Sequence, residues 1–445
     1  MKLLIFFTHD RLYRSFNELN YLEDIKRFYP NVEVVLTYLK SDNDSGSNSD
    51  KVKVIKSNTF MVRFRKYVLD FHTFKYMDLS VSFKTKIRQQ VKIPVNRKIS
   101  FKTFILVGNL RWASIAILCS RYFYKISCLI LRKLADLNKS ANSLLRDYDS
   151  GVLLIVSAGP LTSIENILLY YASKYNIPSA LIIDNWDNLS SKSILWQKPR
   201  LLGVWGPNMS RDAQNIHDIP IKSIMNIGNS RIFKPIPDEL QDKVPYVLFA
   251  GSGNHLETEI EIVKLVAVLL EKYDLCLLYR PHPYRDMNSH IIEQLRETPN
   301  LIIDPLWIES KKSDFYSFTS LNALLNQCKY ATFVIAGHST VIVEALYLGK
   351  YVVSFSGTNS PYFENGDLWH GYHHLQELRD IPSINNCVTI DDFFKTLNST
   401  CEKVKNDKLW LPQENSIKSI IPNFPDSYQE RLISIIRILS LAKKQ

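Results

Sequence analysis

The residues best suited to chemistry sit in short polar loops that follow apolar runs. In Tyr279-Arg280-Pro281-His282-Pro283, two prolines with fixed φ bracket a histidine and hold the loop rigid. An arginine held in this way clamps phosphate. The imidazole donates a hydrogen bond to the phosphate or moves a proton to a leaving group near neutral pH. Ala336-Gly337-His338-Ser339-Thr340 leads into the apolar run from Val341 to Gly349, a small-residue loop opening a helix. Ser339 and Thr340 cap that helix, and their hydroxyls, with His338 and the free N–H groups at its positive end, suit a phosphate. Glu344 lies about one turn further on, where a carboxylate beside an anion is costly unless it faces a neutral group such as a ribose diol. The alternative is an ordinary early-turn acid that favours the helix dipole. Ala250-Gly251-Ser252-Gly253-Asn254 follows another apolar run, and Gly251 and Gly253, with Ser252 between them, let backbone amides approach an anion. A plain tight turn uses glycine equally well.

In the first half, Ile182-Ile183-Asp184-Asn185-Trp186-Asp187-Asn188-Leu189-Ser190-Ser191-Lys192 ends an apolar run with a dense polar set. A turn uses Asp and Asn but has no need of a tryptophan, two acids, amides and hydroxyls together. The set therefore reads as an acceptor or catalytic site, with a hydrogen-bonded turn as the alternative. Asp187 is the leading proton acceptor, with Asp184 in reserve, because a carboxylate takes a proton from an attacking hydroxyl. Asp184, Trp186 and Asn188 are the acceptor-binding candidates.

Other constellations compete poorly. The chain has no nucleophile elbow, no HExxH, no Walker A loop and no amino-terminal GxGxxG. His370, His373 and His374 lie among Trp369, Gly371 and Tyr372 without an acid at ligand spacing, so they read as a loop, and no metal site is expected. The six cysteines are scattered, with no CxxC pair, which suggests neither a disulfide framework nor structural zinc and fits a reducing compartment. No cofactor is expected.

The elements that must position these loops follow from the apolar pattern. Strand-like runs at Leu3–Phe7, Val32–Leu36, Val152–Ser157, Ser179–Ile183, Leu201–Trp205 and Ile224–Ile227 alternate with helical stretches, among them Leu12–Phe28 and Leu161–Tyr175. The pattern lapses in a proline-containing polar stretch between Asn229 and Pro245, then resumes with strands at Tyr246–Phe249, Leu275–Tyr279, Leu301–Ile303, Thr332–Ile335 and Val352–Phe355. Such alternation implies parallel sheets covered on both faces. The expected architecture is α/β, with two Rossmann-like doubly wound domains. Residues 1–235 form the first, carrying a basic helical insertion at 51–149; residues 244–425 form the second; and 426–445 form a final helix. Ligands in such sheets bind beyond the carboxyl ends of the strands, where all of these loops lie.

Length and composition agree: 445 residues, 46% hydrophobic and 22% charged, describe a globular chain of two or three domains. The formal charge of +11 is concentrated, because residues 51–102 carry 14 Lys or Arg against Asp70 and Asp78 and the remainder nets −1. Interleaved aromatics such as Phe60, Phe64, Tyr67 and Phe71 suit an interfacial surface, so residues 51–135 are the candidate membrane contact, with a solvated domain face as the alternative and no nucleic acid as partner. The apolar start ends at Thr8, too early for a signal peptide, and Trp112–Leu134 is broken by Arg121, Lys125, Arg132 and Lys133. The expectation is a cytoplasmic protein, peripheral at the inner face of the plasma membrane.

Arg280-Pro281-His282-Pro283, the run Ser339-Thr340-Val341-Ile342-Val343-Glu344-Ala345-Leu346, and Leu348-Gly349-Lys350 resemble the carboxyl-domain signature of GT-B glycosyltransferases. The chain looks most like the bacterial CDP-glycerol glycerophosphotransferases and the capsule Kdo and sialic acid transferases, which share an HP motif and a Ser/Thr donor loop. Trp186-Asp187-Asn188-Leu189-Ser190-Ser191-Lys192, followed by Val204-Trp205 and Gly228, resembles a segment of the same group, and the likeness spans residues 150–356. It implies a GT-B fold whose domains face a central cleft and whose last helix crosses back to the first domain. It also implies that His282, Ser339 and Thr340 contact the donor phosphate, that Glu344 lies near ribose, and that the nucleotide tilts towards cytidine. The acidic pair followed by glycine that supplies the base in the sialyltransferase type is not evident, and the resemblance gives no support to Asp187, which is the base candidate from its own residue set alone. Fixed donors and a helix terminus stabilise a departing phosphate without a metal, and no Asp-x-Asp motif sits on a donor loop, so the expected mechanism is metal-independent and inverting. The expected activity moves a sugar from a nucleotide-activated donor to a glycan or lipid-linked acceptor in surface polysaccharide synthesis. The alternatives are a polyol-phosphate transferase, a nucleotide-sugar 2-epimerase and a basic binding protein without enzymatic activity.

Overall fold

A computed structural model describes residues 2–36, 53–54, 121–148, 151–157, 163–192, 194–232, 244–251, 256–282, 287–312, 321–355, 372–408 and 417–443. The chain divides into two compact units, one of Met1–Phe233, Gly371–His374 and Ser419–Gln445, the other of Lys234–His370 and Leu375–Lys418. The basic block is outside the described residues except for Lys53 and Val54, as is the Trp112 stretch up to residue 120. Among the described residues no helix is long and apolar enough to cross a membrane.

The first unit runs β1 (Lys2–Phe7), α1 (Asp10–Glu18), α2 (Tyr21–Phe28), β2 (Val32–Leu36), β3 (Lys53–Val54), α3 (Arg121–Asp136), α4 (Lys139–Arg146), β4 (Gly151–Ser157) and α5 (Ser163–Lys174). It continues with β5 (Ser179–Ile183), α6 (Asn188–Ser191), β6 (Leu201–Val204), α7 (Pro207–Asn215) and β7 (Ile224–Asn226). The strands form one parallel sheet in the order β3-β2-β1-β4-β5-β6-β7. The order in which strands are added reverses between β1 and β4, the point where such sheets open a crevice at their carboxyl edge. β4 is buried along its whole length, as expected of a strand covered on both faces. The single helix expected over Leu12–Phe28 is two, because Asn20 takes the left-handed conformation (φ 58°) that an amide side chain tolerates and that a helix cannot continue through. Gly206, between β6 and α7, meets the returning chain so closely that a Cβ would lie 2.3 Å from the Ile420 carbonyl oxygen, which leaves no room for a side chain.

The second unit comprises β8 (Tyr246–Ala250), α8 (Leu256–Glu271), β9 (Cys276–Arg280), α9 (Ser289–Arg296), β10 (Leu301–Ile303), α10 (Pro305–Lys312) and α11 (Leu321–Tyr330). There follow β11 (Val334–Ala336), α12 (Thr340–Tyr347), β12 (Val352–Phe355), the short α13 (His373–Gln376), whose two histidines count with the first unit, β13 (Ile384–Cys387) and α14 (Ile390–Lys405). Its parallel sheet has the order β10-β9-β8-β11-β12-β13. The second sheet is thus also doubly wound, with its reversal between β8 and β11. β13 and α14 extend the unit beyond the last strand legible in the apolar pattern. Ile384-Asn385-Asn386-Cys387 is an edge strand with polar central residues, so it carries no apolar run.

The last helix, α15 (Tyr428–Lys443), belongs to the first unit. Ser427 and Glu430 form a capping box at its start: the Ser427 N–H donates to Glu430 Oε2 (2.8 Å) and the Glu430 N–H to Ser427 Oγ (3.2 Å). Leu432, Ile435, Ile436 and Leu439 join the core built on Leu3, Ile5, Phe16 and Leu154. Each such side chain contributes about 1.5–3 kcal/mol of burial, which is what secures the crossover. Arg431 stacks over Phe424 at 3.8 Å and donates from Nε to the Ile227 carbonyl at 2.9 Å, tying α15 to the end of the β7 segment.

Candidate functional site

In the second unit, three of the four loops singled out above leave the central strands side by side. Register pairs Ala250 with Arg280 across β8 and β9, and Ala250 with Ala336 across β8 and β11. The glycine loop, the HP loop and the Ser339 loop therefore emerge at one level of the carboxyl edge. Gly251 donates its N–H to the Arg280 carbonyl (2.9 Å), and a Cβ there would stand 2.6 Å from Glu259 Oε1, 3.2 Å from the His282 nitrogen and 3.3 Å from the Arg280 oxygen. A side chain there would have to displace the Glu259 carboxylate and push the two loops slightly apart. Ser252 and Gly253 lie outside the described residues.

Ser339 is the N-cap residue of α12, in extended conformation, and its side chain makes no capping hydrogen bond. It is exposed, and Gly337, His338 and Thr340 are partly so. The hydroxyl and the first-turn N–H groups of α12 form a positive end of the kind that holds anions. His282 is partly exposed beside Pro281, which is buried.

Arg280 is not at the surface. It is 6% exposed, and its Nη1 donates to Asp304 Oδ2 (2.9 Å) and Gln327 Oε1 (2.8 Å). Burial pulls its pKa down, opposed by the negative charges of Asp304 and Glu344, with Cys328 alongside. Glu344, expected to face a ribose, is 1% exposed and directed into this cluster with Arg280 and Cys328. The reason is helical geometry: Glu344 falls on the buried stripe of α12 with Ile342, Val343, Ala345 and Leu346. Asp304 and Gln327 were not singled out in the sequence. The Asp304-Pro305 pair, an N-cap followed by proline at the first helical position, is the local signal for Asp304. Its Oδ1 does accept the Leu306 N–H at 3.0 Å.

In the first unit, Asp184, Trp186 and Asn188 are all buried at the end of β5 and the start of α6. Trp186 meets the ring of His374 edge-on at 4.8 Å. Asp187 is mostly buried. Its Oδ2 accepts from Lys192 Nζ at 2.9 Å and from Ser191 Oγ at 2.8 Å. Burial works to raise its pKa, but the charges of His374 and Lys192 and the hydrogen bonds from Lys192 and Ser191 outweigh it and hold the carboxyl below its usual range. A carboxylate held in this way is a weaker base than a free one. At the neighbouring end of β4, the Ser157 hydroxyl donates to Glu165 at 2.8 Å, placing on α5 a buried carboxylate that the motif reading missed. His373 faces Asp212 at 3.2 Å. The three-histidine stretch read as a loop thus contributes two side chains to the first unit, while His370 lies outside the described residues.

His217 braces this turn. It accepts the Leu195 N–H at Nδ1 (3.2 Å) and donates from Nε2 to the Leu189 carbonyl (2.8 Å), an arrangement that requires the neutral ring. Burial lowers its pKa from 6.5 to about 4. Between those values the unfolded chain binds more protons than the folded one, so stability falls as pH drops from about 6.5 to about 4. With His217 only 2% exposed, its share of the loss between pH 7 and pH 5 is about 2 kcal/mol. Urea titrations at both pH values should show this loss in the wild-type chain and a smaller one in His217→Gln. An equal loss in the two proteins would contradict the assignment.

No family model matches the chain, and no curated protein matches it. Solved structures do. The S. aureus MnaA structure with UDP superposes with a TM-score of 0.53 at 12% identity, covering 98% of this chain and 96% of that one. A UDP-N-acetylglucosamine 2-epimerase described as putative, from Listeria monocytogenes, gives 0.51 at 10% identity, covering 100% and 97%. The Methanocaldococcus jannaschii UDP-GlcNAc 2-epimerase in complex with UDP-GlcNAc and UDP gives 0.50 at 12%, covering 98% and 100%. The likeness is one of fold, and the chain has the GT-B fold: two Rossmann-like doubly wound units, with the last helix packed in the first.

Proposed function

We propose that the protein is a glycosyltransferase that moves a sugar from a nucleotide-activated donor, a cytidine nucleotide by preference, to a glycan or lipid-linked acceptor in surface or capsular polysaccharide assembly. The observation that carries this reading is the convergence of the Gly251, Arg280–His282 and His338–Thr340 loops on three adjacent strand ends. Gly251 admits a close backbone approach, Ser339 and Thr340 present hydroxyls at the positive end of α12, and His282 supplies a donor to the departing phosphate. In this reading Arg280 acts from below. Paired with Asp304 and flanked by Glu344, it fixes the strand end that carries His282. Asp187 and its neighbours in the first unit serve the acceptor, and the basic segment 51–135 serves the membrane surface on which a lipid-linked acceptor resides.

A second reading, a nucleotide-sugar 2-epimerase, is favoured by the UDP-GlcNAc 2-epimerases whose folds this chain matches over nearly its whole length. A thermal-shift screen with CMP, CDP, UDP and GDP tests both. A nucleotide at about a hundred times its Kd stabilises the native state by about 2.7 kcal/mol, a rise of about 5–10 °C for units of this size. A rise with a cytidine nucleotide supports the transferase. A rise confined to UDP, with conversion of UDP-GlcNAc in the absence of any acceptor, supports the epimerase. No rise with any of the four would remove both.

A further inference from the structure

The strand end that carries the HP loop is tied on both of its faces. Successive side chains of a strand point to opposite sides, so Tyr279 and Arg280 leave β9 in opposite directions. Arg280 reaches Asp304 and Gln327 on one side. On the other, Tyr279 is wholly buried, meets Phe249 edge-on with ring centroids 5.9 Å apart, and donates its hydroxyl to Glu259 Oε1 at 2.7 Å.

Glu259 breaks the pattern of its own helix. It lies in the first turn of α8, buried alongside Ile260, Ile262, Val263 and Val266. A carboxylate in such a place costs solvation that an apolar residue would not. What distinguishes the position is its neighbour: Glu259 Oε1 lies 2.6 Å from the point a Cβ on Gly251 would occupy. One oxygen thus has the Tyr279 hydroxyl directing it and Gly251 lying against it. Gly251 donates its N–H to the Arg280 carbonyl at 2.9 Å, and the His282 nitrogen is 3.2 Å from the same Cβ point. The start of α8, the glycine loop and the HP loop are therefore in register through this carboxylate.

We propose that Tyr279 and Glu259 are positioning residues for the donor site, their hydroxyl–carboxylate bond setting the spacing of the glycine loop from the HP loop. This rests on the reading that these loops hold the phosphates of a nucleotide. Backbone N–H groups hold an anion only at the right length and angle, and their bonds weaken steeply away from it. Two buried side chains that touch no substrate thereby govern nucleotide affinity.

The test is isothermal titration of the full chain with whichever of CMP, CDP, UDP and GDP stabilises the wild type most, beside the melting temperature without nucleotide. Tyr279→Phe keeps the ring, removes the hydroxyl and should raise Kd about fivefold to tenfold, the equivalent of one hydrogen bond. Glu259→Leu, which removes the acceptor instead, should show a similar loss. Glu259→Gln still accepts from the Tyr279 hydroxyl and should bind within about twofold of wild type. The control is Tyr273→Phe, which removes a tyrosine hydroxyl bond of 2.8 Å to Asn398 Oδ1 beyond the far end of α8 and should leave Kd unchanged. A folded Tyr279→Phe or Glu259→Leu that melts earlier yet binds as tightly as wild type would overturn the proposal, because the pair would then serve stability alone. An equal loss in Glu259→Gln or in Tyr273→Phe would overturn it as well. In each of these cases the wild type still binds, and the transferase reading stands. If the wild type binds none of the four nucleotides, both fall together.

Discussion

Replacing His282 by alanine is expected to lower turnover by about 10²-fold or more, whether the assay follows transfer or epimerisation. The expectation rests on placement. His282 follows the buried Pro281 directly after β9, and its backbone nitrogen packs against Gly251, so the imidazole is delivered from a rigid segment rather than a loose loop. A donor fixed where charge develops on a leaving phosphate acts without reorganisation, and removing such a donor costs about 2.7–4 kcal/mol of barrier. The side chain is only partly buried, so the variant should keep its fold, and its melting temperature without nucleotide should match the wild type. Steady-state turnover and the thermal shift with the bound nucleotide, measured together, separate a catalytic loss from a binding loss. Unchanged turnover would remove His282 from the chemistry.

The second large effect is on stability. Asp304→Ala should destabilise the second unit by about 3–5 kcal/mol, because it removes the carboxylate bonded directly to a buried guanidinium. Asp304 is 0% exposed, and its two oxygens serve two groups, Oδ2 the Arg280 guanidinium and Oδ1 the Leu306 N–H at the start of α10. The expected fall in melting temperature is about 6–20 °C for a unit of this size. Asp304→Asn keeps hydrogen-bonding capacity but not charge and should fall between the two. A single Asp304→Ala variant as stable as wild type would show that Arg280 finds another partner and that the strand end is not held as described.

These two residues differ in how visible they were beforehand. The HP loop announces itself, because two prolines around a histidine at the end of an apolar run restrict the backbone locally, and no distant contact is needed to see that. Arg280 carries the same local signature, yet its guanidinium turns inward. Its direction depends on Asp304 and Gln327, which arrive from β10 and α11, and on Glu344 from the buried stripe of α12. Asp187 shows the same division. Its turn is conspicuous for its polar density, but Lys192 and Ser191 occupy its carboxylate, and the histidine beside it comes from a segment of the first unit far along the chain.

What the chain determined by itself was everything governed by local backbone and periodicity. This includes the alternation that makes two parallel sheets, the glycine that lets two loops touch, the extended Ser339 before α12, and the Ser427–Glu430 box that starts the last helix. What only the tertiary structure decided was which side chains meet. Arg280 with Asp304 and His374 with Trp186 and Asp187 are encounters between segments far apart in sequence. They are selected by burial and charge pairing in the packed state, and no short-range pattern encodes them.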